Sequence, residues 1–163
     1  MHMAEEKKEE LLGIEFFSKI PYNWGMGPYV GTVFTEMKEN KRIWGIRCPK
    51  CKKLLFPPEA MCGYCFTEFT HDNWEEIGDE GTIVQFTKAG MPIFNIRTGQ
   101  YAFSERPLAN IQFDTGPYIM HWLEEKDLEK LHLGMKVKAV WREQGRGRGY
   151  EDIMYFRIIE EKK

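Results

Sequence analysis

The sequence predicts a mainly β protein: a short helical or irregular N-terminal segment, a rubredoxin-like metal ribbon, and a five-stranded barrel of the OB type. Three observations carry this. Two Cys-x2-Cys pairs, Cys48/Cys51 and Cys62/Cys65, stand ten residues apart, the spacing of two knuckles that face each other across one ion. Five later segments carry strand signals, the third and fourth separated by an acidic stretch of helical pattern, which is the element order of a small Greek-key barrel. The first forty residues instead mix aromatics with Gly and Pro. The expected boundaries are 1–40 for the arm, 41–70 for the ribbon and 71–163 for the barrel. Periodicity alone does not establish closure, and a sandwich fragment is the alternative.

Residues 4–12 read as a charged helical or frayed lead. Residues 13–31 alternate aromatics with breakers (Phe16, Phe17, Pro21, Tyr22, Trp24, Gly25, Gly27, Pro28, Tyr29). Such a segment suits an irregular path across a surface, because apolar groups of that size are costly to expose. Residues 32–39 predict a short helix with Val33, Phe34 and Met37 on one face. From 41 to 69 the chain reads strand, knuckle, strand, knuckle, strand. The barrel strands are expected at 81–87, 108–113, 118–123, 135–141 and 153–159, with Leu128 and Leu131 anchoring a helix between the third and fourth. The connection 88–107 shows no convincing element, which is uncommon unless a loop binds something. Its Met91, Ile93, Phe94, Tyr101 and Phe103 call for cover, from a ligand, a partner or the barrel itself.

Composition restricts the function classes. The chain has 163 residues, 42% of them hydrophobic, with a net charge of −2, so it can bury a core. It lacks the basic excess of a protein whose main partner is a nucleic-acid backbone. No run approaches the roughly 18 apolar residues of a membrane span. The charged N-terminus lacks the apolar run of an export signal, and four cysteines in two close pairs favour metal over disulfides. A cytoplasmic chain is expected.

The four cysteines are the candidate ligands of one tetrahedral ion, zinc in preference to iron. Iron-tetrathiolate knuckles usually carry Gly after the second Cys of each pair, where the backbone turns to positive φ; here those places hold Lys52 and Phe66. With all four thiols assigned to metal, none is left as a nucleophile. Six cations, Lys41, Arg42, Arg47, Lys50, Lys52 and Lys53, surround the first pair without an acid among them. They either compensate the net −2 of a zinc tetrathiolate or face an acidic partner or phosphate. Residues 144–149, Gln-Gly-Arg-Gly-Arg-Gly, are either a solvated hairpin tip or a mobile phosphate-contacting loop. His121 is expected to be a satisfied structural histidine.

The run Arg47-Cys48-Pro49-Lys50-Cys51, followed by Phe56-Pro57-Pro58 and Met61-Cys62-Gly63-Tyr64-Cys65, resembles the zinc-ribbon/OB-fold family catalogued as domain of unknown function number thirty-five. The likeness continues through Gly81-Thr82-Ile83-Val84, Pro107-Leu108-Ala109-Asn110-Ile111 and Leu133-Gly134-Met135-Lys136-Val137. The missing knuckle glycines and a longer aromatic N-terminal segment depart from the family. The resemblance implies an accessory role. Family members sit with thiolase-like or acyl-CoA synthase-like subunits and help form or shield an acyl-CoA site whose catalytic Cys and His belong to the larger partner. Within the family the chain is most similar to small subunits of thiolases that cleave benzoylsuccinyl-CoA in anaerobic toluene breakdown. It follows that one zinc per chain, a larger thiolase-family subunit, and coenzyme A or acyl-CoA held by the complex are expected. Arg97, Arg146 and Arg148 are the candidate contacts to coenzyme A phosphates, with no catalytic residue in this chain. The alternative is a single-stranded nucleic-acid-binding OB-fold protein, against which the acidic balance counts; a rubredoxin-like electron carrier is a third.

Overall fold

A computed structural model describes residues 25–88, 92–95, 98–102 and 104–160. The aromatic segment up to Trp24, and Met91, Arg97 and Phe103 of the long connection, lie outside the described residues. Alternation of apolar and polar residues builds the barrel from β4 (Glu80–Lys88), β7 (Pro107–Phe113), β8 (Tyr118–Trp122), β9 (Lys136–Trp141) and β10 (Ile153–Glu160). Along β7 every second side chain, Ala109, Ile111 and Phe113, points into the core, where Ile83, Ile119, Val137, Ala139 and Phe156 meet it. The order is β10-β9-β4-β7-β8. A parallel bridge between Leu123 and Phe156 then joins the two ends of the sheet, with the Glu124 amide donating to the Phe156 carbonyl at 2.8 Å. All five strands match the expected segments to within one residue. Gly81 is where β4 and β7 approach most closely: a Cβ there would lie 2.5 Å from the Gln112 carbonyl oxygen.

The ribbon is a small antiparallel sheet of order β2-β1-β3, made of β1 (Trp44–Arg47), β2 (Leu54–Leu55) and β3 (Trp74–Glu76). It shares its core with the barrel. Ile43 and Ile77 are buried with the barrel residues, and the Ile77 amide donates to the Ile43 carbonyl at 2.8 Å. Phe56 sets its ring edge-on to Phe113 at 6.2 Å and Tyr150 at 5.9 Å, a favoured aromatic geometry.

Helix α1 (Gly27–Asn40) starts five residues before the expected segment, with Pro28 in its first turn, where a missing N–H is harmless. Val33 and Met37 are buried, and Phe34 packs edge-on to Tyr150 at 5.0 Å. Two further expectations are corrected. The stretch between β8 and β9 forms only one tight helical turn, Leu128–Lys130. Leu131 is buried but Leu128 is exposed, and one apolar anchor is too little to hold a short helix. The 88–107 connection carries a hairpin, β5 (Ile93–Asn95) with β6 (Gln100–Ala102), whose exposed Phe94 and Tyr101 rings cover each other at 5.0 Å.

Residues 144–149 keep the solvent exposure expected of a tip at Gln144, Gly145, Gly147 and Arg148, but Arg146 is half-buried and Gly149 buried, so the segment is a tied corner. Asp152 is fully buried. It accepts hydrogen bonds from the Gly147 amide at 2.8 Å and the Arg148 amide at 3.0 Å. Gly149, at φ +69°, leaves room for Phe34: a Cβ would lie 2.9 Å from its Cζ. Arg146 Nε donates to the Lys38 carbonyl at 2.5 Å, tying the corner to the last turn of α1.

Two outcomes are expected. Asp152→Ala removes the buried carboxylate that accepts from the Gly147 and Arg148 amides and lowers stability by about 2 kcal/mol, read from the midpoint of urea unfolding. Separately, burial holds the His121 imidazole below its ordinary pKa of 6.5. The unfolded chain therefore binds a proton that the folded chain does not, and stability is lost as pH falls through that ordinary value. His121→Gln should flatten this part of the pH–stability curve.

Candidate metal centre

Each knuckle is a tight turn closed by backbone hydrogen bonds. Lys52 N donates to Cys48 O at 3.0 Å and Cys48 N to Lys53 O at 2.9 Å; in the second knuckle Phe66 N donates to Cys62 O and Cys62 N to Thr67 O, both at 2.9 Å. Lys52 and Phe66 take the positive φ of these turns, 61° and 57°, at a cost of about 1–2 kcal/mol each. The missing glycines therefore leave the knuckle geometry intact.

The four sulfurs lie within 4.8 Å of one another. Cys48 Sγ is 3.5 Å from Cys65 Sγ, and Cys51 Sγ is 3.6 Å from Cys62 Sγ. A tetrahedral ion with bonds of about 2.3 Å separates its sulfurs by roughly 3.8 Å, so the set fits one zinc-sized ion. Cys48 and Cys62 are buried with Ile46 and Phe69, whereas Cys51 and Cys65 are half-exposed. The Thr67 hydroxyl, 3.3 Å from the sulfur, brings the Cys65 thiol down to about 6. At Cys51 the Lys53 amide favours thiolate, but burial and the neighbouring sulfurs outweigh it and push the thiol up to about 11. A bound cation reverses that preference, since thiolate rather than thiol is the ligand.

The basic run divides into two groups. Lys41 pairs with Glu143 and Arg42 with Glu76, and Arg47 forks onto Glu75, one arm at 2.6 Å. That contact holds the Glu75 carboxyl below its usual range. Lys50, Lys52 and Lys53 stay exposed beside the first knuckle, with Lys53 Nζ 3.4 Å above the Tyr64 ring. They stay available to offset the −2 that a divalent ion on four thiolates would carry, or to face an acidic partner or phosphate.

The structure brings the four cysteines together and places Arg146 and Arg148 on the 144–149 corner. Arg146 is half-buried, and Arg148 is exposed with its Nε on the Gly145 carbonyl at 3.2 Å; Arg97 lies outside the described residues. Sequence reasoning missed a cleft of about 590 Å³ between β8 and β10, lined by Arg106, Trp122, Arg142, Tyr150 and Tyr155 among others. No spacing rule links these residues; only barrel closure gathers them. His121 borders it. Its Nε2 meets the Tyr150 carbonyl at 3.2 Å, but its buried Nδ1 has no hydrogen-bond partner among the described residues, which leave the histidine half satisfied.

Metal analysis should find one zinc per chain. Cys48→Ser should abolish stoichiometric binding and unfold the ribbon, since a structural tetrathiolate site contributes on the order of 10 kcal/mol. Full metal content and unchanged unfolding in that variant would refute the assignment.

Comparison with known proteins agrees with this architecture. The family model for the rubredoxin-like zinc ribbon domain of ChsH2 matches residues 36–70. The model for the ChsH2 C-terminal OB-fold domain matches residues 74–142. A DUF35 domain-containing scaffold protein of Pyrococcus furiosus is 27% identical over 115 residues, covering 69% of this chain and 78% of the relative. Two solved structures share the fold. One is an Ltp2-ChsH2(DUF35) aldolase, with TM-score 0.57 and 21% identity, covering 83% of this chain and 98% of that one. The other is a DUF35-family protein of unknown function from Sulfolobus solfataricus, with TM-score 0.52 and 24% identity, covering 81% and 84%. With both ChsH2 domains matched in order along one chain, and its four cysteines gathered in the ribbon, this protein belongs to the DUF35 family of zinc-ribbon and OB-fold proteins.

Proposed function

We propose that this chain is a non-catalytic accessory subunit of an acyl-CoA-processing enzyme of the thiolase or aldolase type. The observation that carries the reading is the fate of the cysteines. All four converge on one site, so no thiol remains for the covalent step of thiolysis, which needs an activated sulfur nucleophile. The relatives point the same way. One is a scaffold protein, and one solved neighbour is an aldolase in which a ChsH2 (DUF35) component accompanies Ltp2.

In this reading zinc, once bound by the four thiolates, is structural. The chain's own residues hold a ribbon and barrel as one body that the larger subunit can grip. The finer proposal is a thiolase partner, possessing the catalytic Cys and His, with benzoylsuccinyl-CoA as the substrate class. Arg148 is the exposed candidate for a coenzyme A phosphate, since a guanidinium matches phosphate oxygens bidentately. Arg146 spends part of its fork on Lys38 and secures the corner that carries Arg148; Arg97 belongs to the same proposal. A reducing, cytoplasmic setting goes with four unpaired thiols. Among the described residues no helix is long and apolar enough to cross a membrane.

The purified chain alone should show no thiolysis of any acyl-CoA. Co-expressed with a larger thiolase-type subunit, it should co-purify in fixed stoichiometry. Arg148→Ala should raise the apparent KM for the CoA thioester about three- to tenfold without dissolving the complex. Turnover by the isolated chain, or failure of any such complex to form, would overturn the reading.

A further inference from the structure

The cleft between β8 and β10 takes no part in the metal centre, yet it is built like a ligand site. The two strands share no ladder, and among the described residues their backbones pair only at the Leu123–Phe156 bridge. The cleft between them, about 590 Å³, lies in the size range of small-molecule pockets, which favour the mouths of β-barrels. Most of its lining is ring and aliphatic: Trp122, Tyr150 and Tyr155, with Leu108, Met120 and Met154. All of these but Met120 are partly buried.

Two guanidiniums line this apolar hollow, Arg106 and Arg142. Elsewhere Arg47 and Arg157 have their charge met by carboxylates, Glu75 and Glu124. The hydrogen bonds of Arg106 and Arg142 run instead to backbone carbonyls: Arg106 Nη1 to Leu123 at 3.3 Å and Glu124 at 2.8 Å, and Arg142 Nε to Glu151 at 3.4 Å. Carbonyls orient a guanidinium without cancelling its charge. The Tyr155 ring, 4.5 Å from Cζ, fixes Arg106 further. Glu105 and Glu124, the carboxylates that feel Arg106, are themselves paired with Lys126 and Arg157. Glu151 is the one carboxylate among the described lining residues, so two positive charges and one negative leave the cleft a single net positive charge. His121 lines it as well, 7% exposed, with no hydrogen-bond partner for Nδ1 among the described residues. Buried polar atoms are nearly always paired, so this one marks a place where a further polar group belongs.

We propose that the β8–β10 cleft binds a small organic anion, a single carboxylate carried on an aromatic ring, with Arg142 pairing the carboxylate and Trp122 and the tyrosines covering the ring. A guanidinium and a carboxylate match fork to fork. Arg142 is the freer of the two, because Arg106 is committed to two carbonyls and a ring. One net positive charge suits a monoanion; a di- or triphosphate would bring more negative charge into an apolar hollow than its lining can balance. An aromatic body suits walls made of rings and methionines. The site goes beyond the accessory-subunit reading and stands without it.

The test uses the full, zinc-loaded chain with 2-naphthoate as the probe, followed through the carbon-13 methyl signals of Met120 and Met154, which line the cleft. Both signals should shift and saturate at millimolar probe. Acetate, which lacks the ring, and 2-naphthylmethanol, which lacks the charge, should each bind about tenfold more weakly or worse. ADP should do no better than they do. Arg142→Gln should weaken naphthoate about tenfold while leaving the alcohol's binding and the urea-unfolding midpoint unchanged, which separates loss of the charge partner from loss of the fold. Lys138→Ala, on β9 and outside the cleft, should change nothing. Equal binding of the acid and the alcohol would reduce the cleft to an apolar hollow, and tighter binding of ADP would make it a phosphate site. Either result overturns the proposal, as does naphthoate leaving Met120 and Met154 unmoved. None of these outcomes bears on whether the chain assembles with a larger subunit.

Discussion

Four sulfurs drawn within 4.8 Å of one another need a cation between them, and the remaining architecture depends on that demand. The ribbon strands are short, β2 only two residues long, and contribute little packing of their own. What holds them is the pair of knuckles, with Lys52 and Phe66 forced into left-handed backbone. Strain of that kind persists only where the surroundings over-determine it. A tetrathiolate ion does so, because its bond angles tie both knuckles to a single point.

From the metal the order propagates outward through β1. Ile46 and Cys48 belong to the small core under the ion, while Ile43 and the packed Trp44 belong to the barrel core. β1 is therefore the shared wall of two cores. Phe56, just beyond β2, reaches Phe113 and Tyr150, and Tyr150 in turn supports Phe34 of α1. Ribbon, barrel and helix consequently have few independent ways to move. That rigidity suits the accessory role proposed above, in which fixed surfaces are presented to a larger subunit.

The arginines illustrate how a surface motif is divided between structure and availability. In Arg146 and Arg148, two residues apart in a Gly-rich run, the sequence suggests equivalent cations. The buried carboxylate of Asp152 instead folds that run into a corner, burying half of Arg146 against α1 and leaving Arg148 outward. The cations near the first knuckle divide similarly. Three find carboxylates, and the three lysines of the first knuckle stay exposed.

The sequence by itself determined the cysteine ligand set and the five barrel strands. Both are written in local periodicity: x2 spacing places two sulfurs on one side of a turn, and period-two alternation sorts each strand into inner and outer faces. It also carried the face of α1, through Val33 and Met37 at helical spacing. Tertiary structure decided the rest, because the deciding partners are distant in the chain. Whether 124–133 became a helix depended on what the barrel left for Leu128 to touch. The 144–149 corner required Asp152, Phe34 and Lys38 to converge from separate elements. The outward pairing of Leu108 with Trp122 and of Asn110 with Met120 exists only through the register of β7 and β8. The cleft exists because β8 and β10 share no ladder, their backbones pairing among the described residues only at the Leu123–Phe156 bridge, and no local pattern encodes where two such strands will lie.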